Sequence, residues 1–413
     1  MIQFSSAARR LRRALAGALC GALALGLCAC GAPVSAPAET EAPAPAQIED
    51  ATYRLTPEAV PQEDASGASK AADGGEPEDA LQDRGALIAF AAGSAYGLDN
   101  GPDAAVWRGV QTFAATFGYA AQSFVTQDET PEACAAVLRE AAESGAELVV
   151  CRGDAMAGAL FEMQRSYPTV SYLLLEGEPH SEDYASYETT INTHCVLFSV
   201  EQAGYLAGYA AVREGYTALG FVGADSMPET VRYCTGMMQG AEAAAEREGQ
   251  QVRLEVWLVG SGAADDAVTA RMSSWYADGV QLIVPAGGRL VESCIAAAQA
   301  SGGRVLNAGW DAAALDPSVL SSTLLNYSVV TQRKLYDFFT AGNWGDQASR
   351  TERLDASAAA ISMPLTGWPF SRFTREDYTE LYTGLYDGTL RVERYSDLAT
   401  LPETPNVAVN VVN

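Results

Sequence analysis

Histidine is almost absent: the 413 residues contain two, His180 and His194. They form no metal-ligand spacing, and neither stands beside a Ser or Cys in a pattern that would make a nucleophile. There is also no Walker loop, no G-x-S-x-G elbow and no dinucleotide fingerprint. Positive charge is scarce. Lys and Arg number 26 against 52 Asp and Glu, a formal net charge of −26. Neutralising phosphates requires Lys and Arg, so this excess of acid argues against nucleic acid as a partner. Pairs of Asp and Glu are too common in such a chain to signal catalysis. No enzyme activity, cofactor or metal is therefore expected. Cysteines number eight. Cys20, Cys28 and Cys30 fall in the N-terminal segment. Cys134, Cys151, Cys195, Cys234 and Cys294 are odd in number, widely spaced and mostly inside apolar runs, which fits buried thiols better than a disulfide framework.

The N-terminus carries its own pattern. Arg9, Arg10, Arg12 and Arg13 precede the apolar run Ala14–Ala29, which is too short for an ordinary membrane span. Leu27-Cys28-Ala29-Cys30 follows the bacterial lipoprotein signal, with cleavage before Cys30 and lipid on its thiol. Residues 1–29 are thus expected to be a lipoprotein signal peptide, and their loss would move the net charge from −26 to −30. Residues 30–85 are rich in Ala, Pro, Glu, Asp and Ser, and read as a disordered acidic tether. As a flexible coil it would reach roughly 40 Å, enough to stand a domain off a membrane.

From Ala86 onward, apolar runs and helical segments alternate. Strands are expected at 86–92, 147–151, 170–175 and about 190–194, with helices through Trp107 and Phe113, after Thr130-Pro131-Glu132, and over 155–166. A polar loop spans 180–188. A second series follows, with strands at 218–222, 252–259, 280–285, 304–308 and 320–325 and helices at 263–278, 289–301 and 328–341. Two successive sets of βα units predict an α/β protein of two doubly wound parallel-sheet lobes with a ligand cleft between their strand ends. The first lobe is expected over 86–195 plus about 319–349, and the second over 196–318 plus about 350–413.

The stretch 199–248 is the densest in signals. Ser199 with Gln202 three residues on reads as a capping box. Gly204, Ala207, Gly208 and Ala211 leave one side of that helix almost without bulk, open to close approach by another backbone. The strand 218–222 ends at Gly223, and Pro228 suits the first turn of the next helix. The loop between them leaves the carboxyl end of a strand, making 224–233 a candidate site wall.

Several segments, in order and at matching spacing, resemble the basic-membrane-protein or PnrA-like substrate-binding lipoproteins of ABC importers. They are EQAGYLAG at 201–208, LGFVGADSMPETVRYCTGMMQGA at 219–241, PAGG at 285–288, YPTVSYLLLEG at 167–177 and FTREDYTELY at 373–382. The resemblance covers roughly 86–397. It implies a type I periplasmic-binding-protein fold with three hinge crossings, purine nucleosides as the best-known ligands, and ABC permease and ATPase subunits as partners. It also implies a lipid-anchored position on the extracytoplasmic face of a bacterial cell membrane. A sensor of a sugar or nucleoside-like signal with the same fold is the alternative reading.

Family sites sandwich a base between rings and hold hydroxyls with carboxylates. Carried over residue by residue, the first loop offers Asp99, with Asp103 where an Asn is usual, Pro102 in place of Phe, and Tyr96 as a substitute ring. Tyr233 stands where the family has Phe, Trp310-Asp311 where a late strand ends in Val-Asp, and no Lys occurs near 322–326. From position alone, Arg152 or Asp154, and Glu176, follow strand ends and either reach the cleft or merely cap the next helix. Gly287 permits close approach of backbone or ligand.

Overall fold

The computed structural model describes residues 85–93 and 97–412. The signal peptide, the tether and Cys30 lie outside these residues, as does Tyr96. In chain order the first series is β1 (Leu87–Gly93), α1 (Gly101–Phe117), β2 (Ala120–Thr126), α2 (Pro131–Glu143), β3 (Ala146–Arg152), α3 (Asp154–Ser166), β4 (Ser171–Leu175) and β5 (Thr193–Phe198). The second is α4 (Val200–Glu214), β6 (Ala218–Gly223), α5 (Pro228–Glu248), β7 (Val252–Leu258), α6 (Asp266–Ala277), β8 (Leu282–Ala286), α7 (Leu290–Ser301), β9 (Arg304–Asn307) and β10 (Val319–Ser322). Then come β11 (Leu324–Leu325), α8 (Tyr327–Tyr336) with a π-helical turn Asp337–Ala341, α9 (Trp344–Gln347), β12 (Arg350–Leu354), β13 (Ile361–Ser362), α10 (Arg375–Tyr386) and β14 (Val407–Val412).

Two six-stranded sheets result, with orders β12-β5-β4-β3-β1-β2 and β10-β9-β8-β6-β7-β14. Every pairing in both is parallel. Helices cover both faces, so the central strands are apolar throughout: β6 is buried at all positions. Strand order reverses beside β1 in the first sheet and beside β6 in the second, which places the loops after β1, β3, β6 and β8 at the crevices where such sheets hold ligands.

The chain passes between lobes three times: after β5, after β10 and after β12. At the last two passages β11 and β13 pair antiparallel. The lobe boundaries therefore differ from those expected. Residues 319–322 belong to the second sheet, and 350–354 pair with β5 in the first. The expected strand 320–325 is two short strands, because the chain leaves one sheet at Thr323. Strands β2, β12, β13 and β14 had no counterpart among the expectations; β2 is a mostly exposed edge strand whose AAQSFVT sequence makes no continuous apolar run.

The bulk-free side of α4 meets α5. A methyl group on Gly204 would lie 2.0 Å from Tyr233 O, one on Gly208 2.0 Å from Met237 O, and one on Gly240 2.0 Å from Tyr205 O. These contacts set the two helices backbone to backbone, so any side chain would push them apart. The capping box at Ser199 does not form. Ser199 makes no side-chain cap bond, and Gln202 instead accepts the Ala356 N–H at 2.8 Å, tying α4 to the third crossing. Thr130, by contrast, caps α2 through the Ala133 N–H.

Candidate functional site: a cleft between the lobes

A cavity of about 640 Å³ opens where the strand ends of the two sheets face each other. The first lobe contributes Asp103 from the first turn of α1, Arg152 from the end of β3 and Glu176 from the loop after β4. Arg152 continues the face of β3 that carries Leu148 and Val150, both in the core beneath α1 and α8. Its guanidinium donates through Nε to Asp103 Oδ1 at 2.8 Å, through Nη2 to Asp103 Oδ2 at 3.1 Å and through Nη1 to Glu176 Oε2 at 2.7 Å. Burial disfavours the charged guanidinium, but the facing Asp103 and Glu176 outweigh it and hold its pKa well above the ordinary value.

Glu176 has φ 55°, in the left-handed region that a non-glycine residue rarely adopts. Its N–H donates to Val196 O at 2.8 Å, and its carboxylate is held by Arg152 and by a hydrogen bond with the Tyr327 hydroxyl. Such strain costs on the order of 1 kcal/mol and persists where surrounding bonds over-determine the geometry. Tyr327 is buried, and burial together with the neighbouring Glu176 keeps its hydroxyl protonated. Arg152 lies over its ring, 5.9 Å from the centroid.

The second lobe builds its wall differently. Gly287 has φ 95°, and a methyl group on it would stand 2.8 Å from Ala224 Cβ; one on Gly288 would meet Gly262 O at 2.2 Å. The loops after β6, β7 and β8 thus pack at backbone distance. Tyr233 lines the cleft, its ring 6.1 Å from Phe221 and its hydroxyl 2.7 Å from Thr323 Oγ1. Burial pushes that hydroxyl's pKa up. Trp310 completes the wall, with its carbonyl accepting from Asn307 Nδ2 at 2.8 Å to close the loop after β9.

Of the expected site residues, Asp103, Glu176, Tyr233, Gly287 and Trp310 line this cleft. Asp99 and Asp311 do not. They line a smaller side cavity of about 150 Å³ that shares Trp310, Leu325 and Tyr327 with the main cleft. Asp311 is exposed and its Oδ1 accepts the Ala313 N–H at 3.0 Å, so it caps a turn. Asp154 is outside the lining: it accepts from the Tyr184 hydroxyl at 2.6 Å and faces His180 at 3.2 Å. At the β3 end it is Arg152 that reaches the cleft. Sequence reasoning passed over Tyr327, Asn307 and Glu229. A signal for Asn307 was present, as the last residue of a strand in a lobe whose other strand ends were already candidates.

The five cysteines are free and buried. Burial raises their thiols, Cys134 to about 11 and Cys195 to about 12, so none is poised to react. Among the described residues no group of His, Cys, Asp and Glu could hold a metal ion, and no helix is long and apolar enough to cross a membrane.

Two parallel-sheet lobes, three crossings and a cleft at the strand ends give this chain a fold of the type I periplasmic-binding kind. Its fold is shared with an ABC transporter solute-binding protein from Aeropyrum pernix K1, at 16% identity and TM-score 0.58 over 76% of this chain and 94% of that one. It is shared too with one from Conexibacter woesei DSM 14684, at 19% identity and TM-score 0.59 over 75% and 99%. A structure described as a transcriptional activator of the comK gene from Bacillus halodurans is similar at 18% identity and TM-score 0.56, over 77% and 100%. Comparison with curated proteins finds no match. The family model described as ABC transporter substrate-binding protein PnrA-like matches residues 94–348, and the chain belongs to that family.

Proposed function

We propose that this substrate-binding protein closes its two lobes around a small polar, nucleoside-like ligand outside the cytoplasmic membrane and passes it to an ABC permease and its ATPase. The observation that carries the ligand class is the composition of the cleft. A cavity of about 640 Å³ combines the rings of Tyr233 and Trp310 on the second lobe with the hydrogen-bonding groups of Asp103, Arg152, Glu176 and Tyr327 on the first. Rings offer stacking area for a flat base, and fixed polar groups at the opposite wall suit sugar hydroxyls. Ligands lacking those hydroxyls would leave buried polar groups unpaired. Asp99 and Asp311 in the adjoining cavity would meet a ligand only where it extends past Trp310.

A thermal-shift screen of nucleosides, bases and sugars tests the reading. A ligand present at 100 times its dissociation constant adds about 2.7 kcal/mol of stability. The absence of a shift with every nucleoside would refute the ligand class. The anchor at Cys30 is tested separately: a Cys30→Ser chain should lose incorporated fatty acid and leave the membrane fraction.

A further inference from the structure

The two walls of the cleft carry unequal numbers of acids and bases. Asp103, Glu129, Glu176 and Glu229 line it, against Arg152 and Arg289. Arg289 is bonded to Glu292 through Nε at 2.8 Å and Nη2 at 2.7 Å. Arg152 has five N–H groups, of which three go to Asp103 and Glu176. Its charge is therefore met by two carboxylates, and the three side chains together carry a formal −1. Glu229, on α5, is itself held by Arg232 at 2.7 Å and Arg353 at 3.0 Å.

An anionic oxygen could reach the two remaining N–H donors of Arg152, but only against the net −1 of the cluster, and a full ion pair with Arg152 would require drawing it away from a carboxylate. Asp103 would then stand without its counterion at 5% side-chain exposure, where an unpaired charge is costly. An uncharged oxygen needs no such exchange. It accepts one of the remaining N–H donors while both carboxylates stay in place, and a ligand hydroxyl donates to their free lone pairs.

We propose that the Asp103–Arg152–Glu176 cluster sets the charge of the ligand, so that the cleft accepts an uncharged hydroxylated or carbonyl-bearing molecule and refuses its phosphorylated form. Arg152, the one strong cation at the floor, acts as a neutral-acceptor reader because its charge is already matched. The inference rests on the nucleoside-like reading above and adds to it a rule about charge.

Calorimetric titration of the folded protein with inosine and with inosine monophosphate, and likewise with uridine and its monophosphate, separates the two claims. The expected result is binding of a nucleoside with its monophosphate weaker by on the order of 100-fold, a gap that narrows as salt screens the cleft. Equal affinity within a pair would overturn the charge rule and leave the nucleoside reading standing. If neither member of either pair binds, the nucleoside reading itself falls, and the charge rule with it. An Asp103→Asn, Glu176→Gln double variant reverses the sign of the cluster. With its fold verified by circular dichroism, it should bind the monophosphate at least about tenfold more tightly than the parent does, while losing affinity for the nucleoside. A folded variant with no gain for the monophosphate would contradict the proposal, and the comparison within the parent protein decides the matter should the variant not fold.

Discussion

The two lobes share a strand plan and differ in what they place at the cleft. The first lobe presents charged side chains held in a network, Asp103, Arg152 and Glu176, one member of which has a strained backbone. The second presents glycine backbone and rings, with loops packed so closely that Gly287 and Gly288 have no room for a methyl group. The same topological position thus serves two purposes. A network of ions fixes directions for hydrogen bonds, whereas glycine loops bring surface close and leave recognition to shape and stacking.

Breaking the first wall should have the largest effect. Arg152→Met leaves Asp103 and Glu176 facing each other without a cation, and urea unfolding should show a loss of about 3 kcal/mol or more, with Arg152→Lys recovering part of it. The second wall should fail by sterics instead. Gly288→Val puts a branched side chain at φ 52° against Gly262 O, and a loss of about 2 kcal/mol is expected in the same measurement. Tyr233→Phe is milder. It removes the bond to Thr323 but keeps the ring, so stability should drop by about 1 kcal/mol while nucleoside affinity changes little.

Acid sharpens the comparison of the lobes away from the cleft. Glu352 in the first sheet is half-buried, which alone would raise its pKa, but bonds from His194 and Lys334 hold it below the ordinary value. Glu214 at the end of α4 is likewise lowered, because the N–H groups of Ser371, Arg372 and Phe373 donate to it and outweigh burial. A carboxylate with a depressed folded pKa stabilises the fold above its unfolded pKa and loses that contribution as pH falls through the folded one. Stability should therefore decline as the pH drops below about 4.5, the ordinary value for both groups. Glu214→Gln should flatten the decline slightly, as seen by denaturant unfolding at several pH values.

Much of this arrangement was legible in the residues. Alternating apolar runs with Gly and Pro at their ends placed most strands, and the small residues of α4 announced the close helix pair whose partner proved to be α5. The direction of individual side chains was harder to read. At the end of β3, Arg152 and Asp154 stand two residues apart, and only the pleat of the strand and the α1 and α8 cover decide that Arg152 faces the cleft. Asp311 occupies the expected loop but turns to cap Ala313, a local bond that sequence position does not distinguish from ligand contact. Ser199 had the right spacing for a capping box, yet Gln202 found a partner more than 150 residues away, at Ala356. Long-range pairings of this kind, including β12 with β5 and β14 with β7, carry no local signal.

The most direct test of the central claim is mass spectrometry of the small molecule released on denaturing protein purified from its own cells. A nucleoside or closely related uncharged, hydroxylated compound in one-to-one ratio is the result expected from a cleft of paired ions and rings. A phosphorylated ligand, or an apolar one without hydroxyl groups, would contradict it.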